Sequence, residues 1–165
     1  MQPGEALDVA AQVAVTLAGF AGIVAVFRPQ SIHEWSPVDK LRLRFLLMNS
    51  SLPLASSLFG IFLLTFDPPL FAIWRWCSGF ILAVTLPFVI FNSASARRIP
   101  RPEQRDVNKP LYYSLAVLGT ATVILQAINV VVWDRFWPFF AAIFFNLIAA
   151  IAQFVRFLLL PPHRT

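Results

Sequence analysis

The chain is poor in the side chains that carry most enzyme and redox chemistry. Charged residues make up 13% of its 165 positions, about half the share usual in a soluble domain. There is one cysteine, Cys77, so no internal disulfide can form, and its place in an apolar block points to packing rather than reactivity. The two histidines lie at position 33, in a polar connection, and at position 163, near the end of the chain. No pair of them can ligate haem from within a helix bundle. No carboxylate falls deep in an apolar block, which disfavours carriers that titrate an acid at the bilayer midplane. Ser50, Ser51, Ser56 and Ser57 have no histidine or lysine nearby in depth to serve as a base, so they read as packing residues rather than nucleophiles. These absences predict a non-enzymatic protein with no cofactor and no bound metal.

What the chain does have is apolar sequence in long blocks. Hydrophobic residues make up 58% and the mean hydropathy is +0.71. A helix needs about 20 apolar residues to cross a bilayer, and five blocks qualify: 7–27, 41–66, 70–92, 111–133 and 136–160. The expected fold is an all-α integral membrane protein forming one domain, a bundle of five transmembrane helices. The last two spans are joined by only a few residues around Trp133-Asp134-Arg135, giving a tight hairpin. The longest connection, 93–110, is rich in arginine and proline and too short to bury a core of its own. Ser36 and Pro37 read as N-cap and first helical residue of the second span. Pro53, inside that span, removes a backbone hydrogen bond, and Asn49, Ser50 and Ser51 precede it where they can satisfy the carbonyl it frees.

The net charge of +5 would suggest nucleic acid in a soluble protein. Here the basic residues flank the apolar blocks, which marks topology instead, and no nucleic-acid partner is expected. With five spans, all of the 13 lysines and arginines except Arg75 and Arg135 fall on one side. The positive-inside rule then places the N-terminus outside and the C-terminus in the cytoplasm. Trp74, Trp76, Trp133 and Trp137 collect at the outer interface under this assignment. The acidic start of the chain lacks the basic region of a secretory signal, so the first span is expected to be retained.

Two faces of the first span stand out. Ala10, Ala14, Ala18 and Gly22 recur every fourth residue and form a small-residue ridge, the kind along which membrane helices approach closely. Glu5, Asp8, Gln12, Thr16 and Gly19 form a polar stripe that descends from one end of the helix towards its middle. Acidic side chains at a pore mouth concentrate cations, so a symmetric ring of these helices would line a cation path. The same acids are also what a solvated helix N-terminus favours. The other spans carry narrower polar faces, among them Ser78, Thr85 and Asn92, then Thr122, Gln126 and Asn129, and then Asn146 and Gln153. Hydrogen bonds between helices are the expected role of these faces. Arg42 and Arg44, with Arg97, Arg98, Arg101 and Arg105 of the basic connection, form a cytoplasmic belt suited to anionic lipid head groups.

The segments TLAGFAGIVAVFR and WSPVDKLRLRFLL resemble those of a family of small, uncharacterised bacterial multi-pass inner-membrane proteins, in which a Gly/Ala-rich first span precedes an SPxDxLR helix start. The likeness covers roughly the first third of the chain and implies a bacterial inner (plasma) membrane setting, with no activity or catalytic residue carried over. Together these readings lead to an integral membrane protein that self-associates, or binds a membrane-protein partner, through its small-residue first helix. An oligomeric passive cation channel lined by that helix is the alternative, and membrane lipids are the surroundings in both.

Overall fold

The computed structural model describes residues 2–27, 37–67, 71–96 and 109–159. Among these there are five long helices and no strand: α1 (Pro3–Phe27), α2 (Pro37–Leu64), α3 (Ile73–Ala96), α4 (Lys109–Ile128) and α5 (Phe136–Leu159). Each contributes to a stretch long and apolar enough to cross a membrane, from Pro3–Ile23 to Phe136–Arg156, the fourth running past the end of α4 to Trp133. This is the architecture of a multi-pass membrane protein. Large apolar side chains turned away from the core, such as Val26, Ile90, Val117 and Val131, are what a lipid-facing surface requires.

Local chemistry sets the helix ends. Gln2 accepts the first helical bond of α1, from the Ala6 N–H at 3.1 Å, and its own N–H donates to Glu5 Oε2 at 3.0 Å. That is the carboxylate half of a capping box. Pro37 opens α2 as expected of a first helical residue, while Ser36 lies outside the described residues. Helix α2 runs on through Pro53 and α3 through Pro87. Ser50 Oγ donates to the carbonyls of Leu46 and Leu47, which precede Asn49, the residue whose carbonyl Pro53 deprives of a donor. Helix α3 starts only at Ile73, because Ala72 takes a left-handed conformation with φ 59°, and it continues past Asn92 to Ala96.

Helices α2 and α5 form the middle of the bundle. α2 packs on α1, α3 and α5, and α5 packs on all four other helices, whereas α1 and α4 lie at the periphery. The main core joins Leu7, Ala10 and Ala14 of α1 to Leu63 of α2, Cys77 and Ile81 of α3, and Phe139, Ala142, Ile143 and Leu147 of α5. Cys77 is therefore a buried packing residue. A second cluster, Ala21, Leu46 and Ala150, closes the other end. Leu7 and Phe139 both lie against Gly60, while Leu46 packs with Ala150, so α2 and α5 run antiparallel.

The turn between α4 and α5 is more elaborate than a short connection demands. Asn129–Trp133 forms one π-helical turn, closed by the Asp134 N–H donating to the Asn129 carbonyl at 3.1 Å. Asp134 then takes the left-handed conformation, φ 49° and ψ 53°, which aspartate tolerates better than most residues. Its Oδ1 accepts from the Arg75 N–H at 3.0 Å. The start of α3, which Ala72 cannot cap with a side chain, is thus capped from the other hairpin.

Candidate functional site

The α1 helix turns its two sequence faces in unexpected directions. Ala10 and Ala14 are buried, Ala18 is half-buried and Gly22 is exposed. At about 100° per residue, every i+4 step advances about 40° around the helix, so Gly22 stands about 160° away from Ala6. The buried seam follows alternating steps of three and four instead: Leu7, Ala10, Ala14, Leu17 and Ala21, a period that drifts far less. The upper part of the small-residue ridge therefore closes the chain's own core. A Cβ added at Gly22 would meet nothing within 4 Å, and the same holds at Gly19.

All five residues of the polar stripe, Glu5, Asp8, Gln12, Thr16 and Gly19, are exposed. Gln12 Nε2 donates to Asp8 Oδ2 at 3.3 Å, and Thr16 Oγ1 donates to the Gln12 carbonyl at 2.8 Å. Glu5 is engaged in the capping contact described above. Helix α1 is roughly 38 Å long at 1.5 Å per residue, so Gln12 and Thr16 lie near its midpoint. Asp8, Gln12, Val15, Gly19, Gly22 and Val26 thus make an outward seam with the same alternating period as the buried one. It is polar at one end, small in the middle and apolar beyond.

Several polar residues of the other helices bond back to their own backbones. Thr120, Thr122 and Asn146 donate to the carbonyls four residues earlier, Ala116, Leu118 and Ala142, at 2.7–2.8 Å, and Asn92 does so to Phe88. The carbonyl one turn back lies within reach of a short polar side chain in any rotation of the helix, so no partner helix is needed. Bonds from a helical side chain to another helix or hairpin centre on two α4-hairpin residues. Gln126 Nε2 donates to the Pro138 carbonyl at 2.6 Å. The Asn129 amide donates to Ser78 Oγ at 2.7 Å and to the Arg135 carbonyl at 3.0 Å, while its oxygen accepts from the Arg135 N–H at 2.9 Å.

The Trp74 ring meets Phe136 edge-on and lies tilted to Phe139, and the Trp133 and Trp137 ring centroids lie 5.4 Å apart. The four tryptophans expected at one interface share that end of the bundle. At the other end, Arg42 pairs with Asp39 at 3.2 Å, and Arg44 sits over the Phe91 ring at 5.8 Å. Arg97, Arg98, Arg101 and Arg105 lie outside the described residues, as do both histidines. Among the described residues, no three His, Cys, Asp or Glu side chains converge as a metal site would need.

Sequence reasoning missed Gly60 and the distinction of Asn129. At Gly60 side chains of α1 and α5 press closely on α2: a Cβ there would stand 2.8 Å from Leu7 Cδ1 and 3.4 Å from Phe139 Cε1. Its signal was present as the small pair Ser56 and Gly60, four apart. Asn129 differs from the other amides only in preceding a turn whose geometry sequence does not reveal. No family model, curated protein or solved structure matches the chain.

Proposed function

We propose that this is a non-enzymatic integral membrane protein that acts by lateral association, with the outward face of α1 as the contact. The observation that carries this reading is the exposure of Gln12 and Thr16 at mid-helix, beside Gly19 and Gly22 with open space beyond them. Lipid tails offer no hydrogen bonds to an amide or hydroxyl, whereas a second helix both shields polar groups and packs closely against glycine. A second copy of the chain is the simplest occupant, and another membrane protein is the alternative partner. The setting is a bacterial inner membrane, with the N-terminus outside and the C-terminus cytoplasmic.

Two measurements test this. With Gly19→Leu and Gly22→Leu combined, intermolecular energy transfer in liposomes should report dimers about tenfold weaker, equivalent to ~1.4 kcal/mol. Both positions open outwards, so thermal unfolding should not change. Equal association by this variant and by Val117→Leu, on the exposed face of α4, would remove the basis of the reading. For orientation, a reporter active only in the cytoplasm should function after Thr165 and fail ahead of Met1. Activity at both ends, or at the reverse end, contradicts the assignment.

The outward direction of the whole stripe favours a second reading, an oligomeric passive cation channel lined by α1. Copies of Asp8 and Glu5 would then crowd one mouth and attract cations. Neutralising both, as Glu5→Gln with Asp8→Asn, should reduce single-channel conductance most at low salt, where the Debye length reaches about 30 Å at 0.01 M. A wild-type protein that passes no current in a planar bilayer leaves Glu5 to its capping role and Asp8 to its contact with Gln12.

A further inference from the structure

From Phe136 to Val155, α5 carries no ionisable side chain, and then comes Arg156. Those 20 residues span about 30 Å, close to the thickness of a bilayer's hydrocarbon core. Arg156 therefore sits at the depth where head-group phosphates begin. Helix α2 runs antiparallel alongside, and Leu46 packs with Ala150 and Phe154 in the buried cluster at this end. One turn before Leu46, Arg42 reaches the same level as Arg156. Both arginines thus belong to the same end of the antiparallel α2–α5 pair.

Their charges are unequally balanced. Arg42 is paired with Asp39, whose side chain is 4% exposed. Arg156 is half-buried and has no carboxylate partner among the described residues. The N-terminus of α2, at Pro37, adds partial positive charge to the same corner. Arg44, turned over the Phe91 ring, is not part of this arrangement. Two like charges brought to one end of the bundle by packing, one of them without a carboxylate partner among the described residues, leave a place for an anion. Guanidinium forks suit the oxygens of phosphate in particular.

We propose that Arg42 and Arg156 together bind the phosphate of an anionic phospholipid, seated between the start of α2 and the end of α5. The site fixes the middle of the bundle to one leaflet, and it stands whether or not α1 mediates association. The test uses the purified full chain in detergent, with bound lipid counted by native mass spectrometry. Phosphatidylglycerol should be retained in preference to phosphatidylcholine, whose choline cancels the phosphate charge. Arg156→Gln should weaken phosphatidylglycerol binding about fivefold, the factor expected of one basic side chain at an anionic surface. Arg135→Gln, at the opposite end of the bundle, should leave binding unchanged. Since Arg42→Gln also removes an ion-pair partner of the buried Asp39, Arg156→Lys is the second variant: it keeps the charge and should retain more binding than Arg156→Gln. Excess inorganic phosphate should not displace the lipid. Equal retention of the two lipids, unaltered binding by Arg156→Gln, or displacement by inorganic phosphate overturns the proposal, the last by assigning the site to a soluble anion.

Discussion

Replacing Asn129 with leucine should be among the most destabilising single changes in the chain, lowering stability by about 2–4 kcal/mol. The amide is fully buried, and its loss strands the Arg135 N–H, the Arg135 carbonyl and Ser78 Oγ together. Each abandoned buried group costs about 1–3 kcal/mol in general. In membranes the average falls to about 0.6 kcal/mol, since the unfolded chain also finds partners there. Three groups at intermediate cost give the range stated. The effect should spread from the hairpin to α3, because Asn129 shapes the π turn that brings Asp134 to the Arg75 N–H. Reversible unfolding in mixed micelles measures the loss. Asn146→Leu is the matched comparison: among the described residues Asn146 bonds only to the Ala142 carbonyl of its own helix, so its replacement should cost under about 1 kcal/mol. Similar losses for the two variants would mean that the hairpin network contributes nothing beyond an ordinary intrahelical contact.

Gly60→Leu should come close to this effect, by a steric route. The 2.8 Å approach of an added Cβ to Leu7 Cδ1 is relieved if Leu7 changes rotamer, so Gly60→Ala should be mild. The larger side chain must also displace the Phe139 ring, which is itself fully buried. Overpacking of this kind costs about 1–3 kcal/mol, occasionally more. Thermal melts in detergent should rank Gly60→Leu well below Gly60→Ala. Gly22→Leu, pointing into open space, should melt with the wild type. If Gly22→Leu proves the more damaging to the folded chain, then the inner seam of α1 is not the one described.

The contrast between these two glycines shows how far the sequence carries. Gly22 lies on a regular small-residue repeat and attracts notice, while Gly60 has only Ser56 as a partner in pattern. A repeat of four is visible in sequence, but its drift of about 40° per step means that it cannot stay on one face over five turns. Leu7, Ala10, Ala14, Leu17 and Ala21, the residues that do stay on one face, are a mixture of large and small side chains that no simple motif marks.

The sequence by itself determined the class of fold and the five long helices. Apolar blocks bounded by prolines and charged residues admit no other arrangement in a bilayer, where backbone groups must be satisfied within the segment. It also brought Trp74, Trp76, Trp133 and Trp137 to one end, since alternating spans leave these four no other place. Only the tertiary structure decided how each helix is turned about its axis, and with that which half of the Ala10–Gly22 ridge is core and which is surface. It likewise singled out Asn129 and Gln126 from residues such as Thr122 and Asn146 that read identically in sequence. The reason is physical. In water, hydropathy contrast tells a helix which face to bury, but between lipid and a protein core both sides are apolar, so rotation is set by shape and by a few directional bonds. Those depend on distances between helices, which are properties of the packed bundle and have no counterpart along the chain.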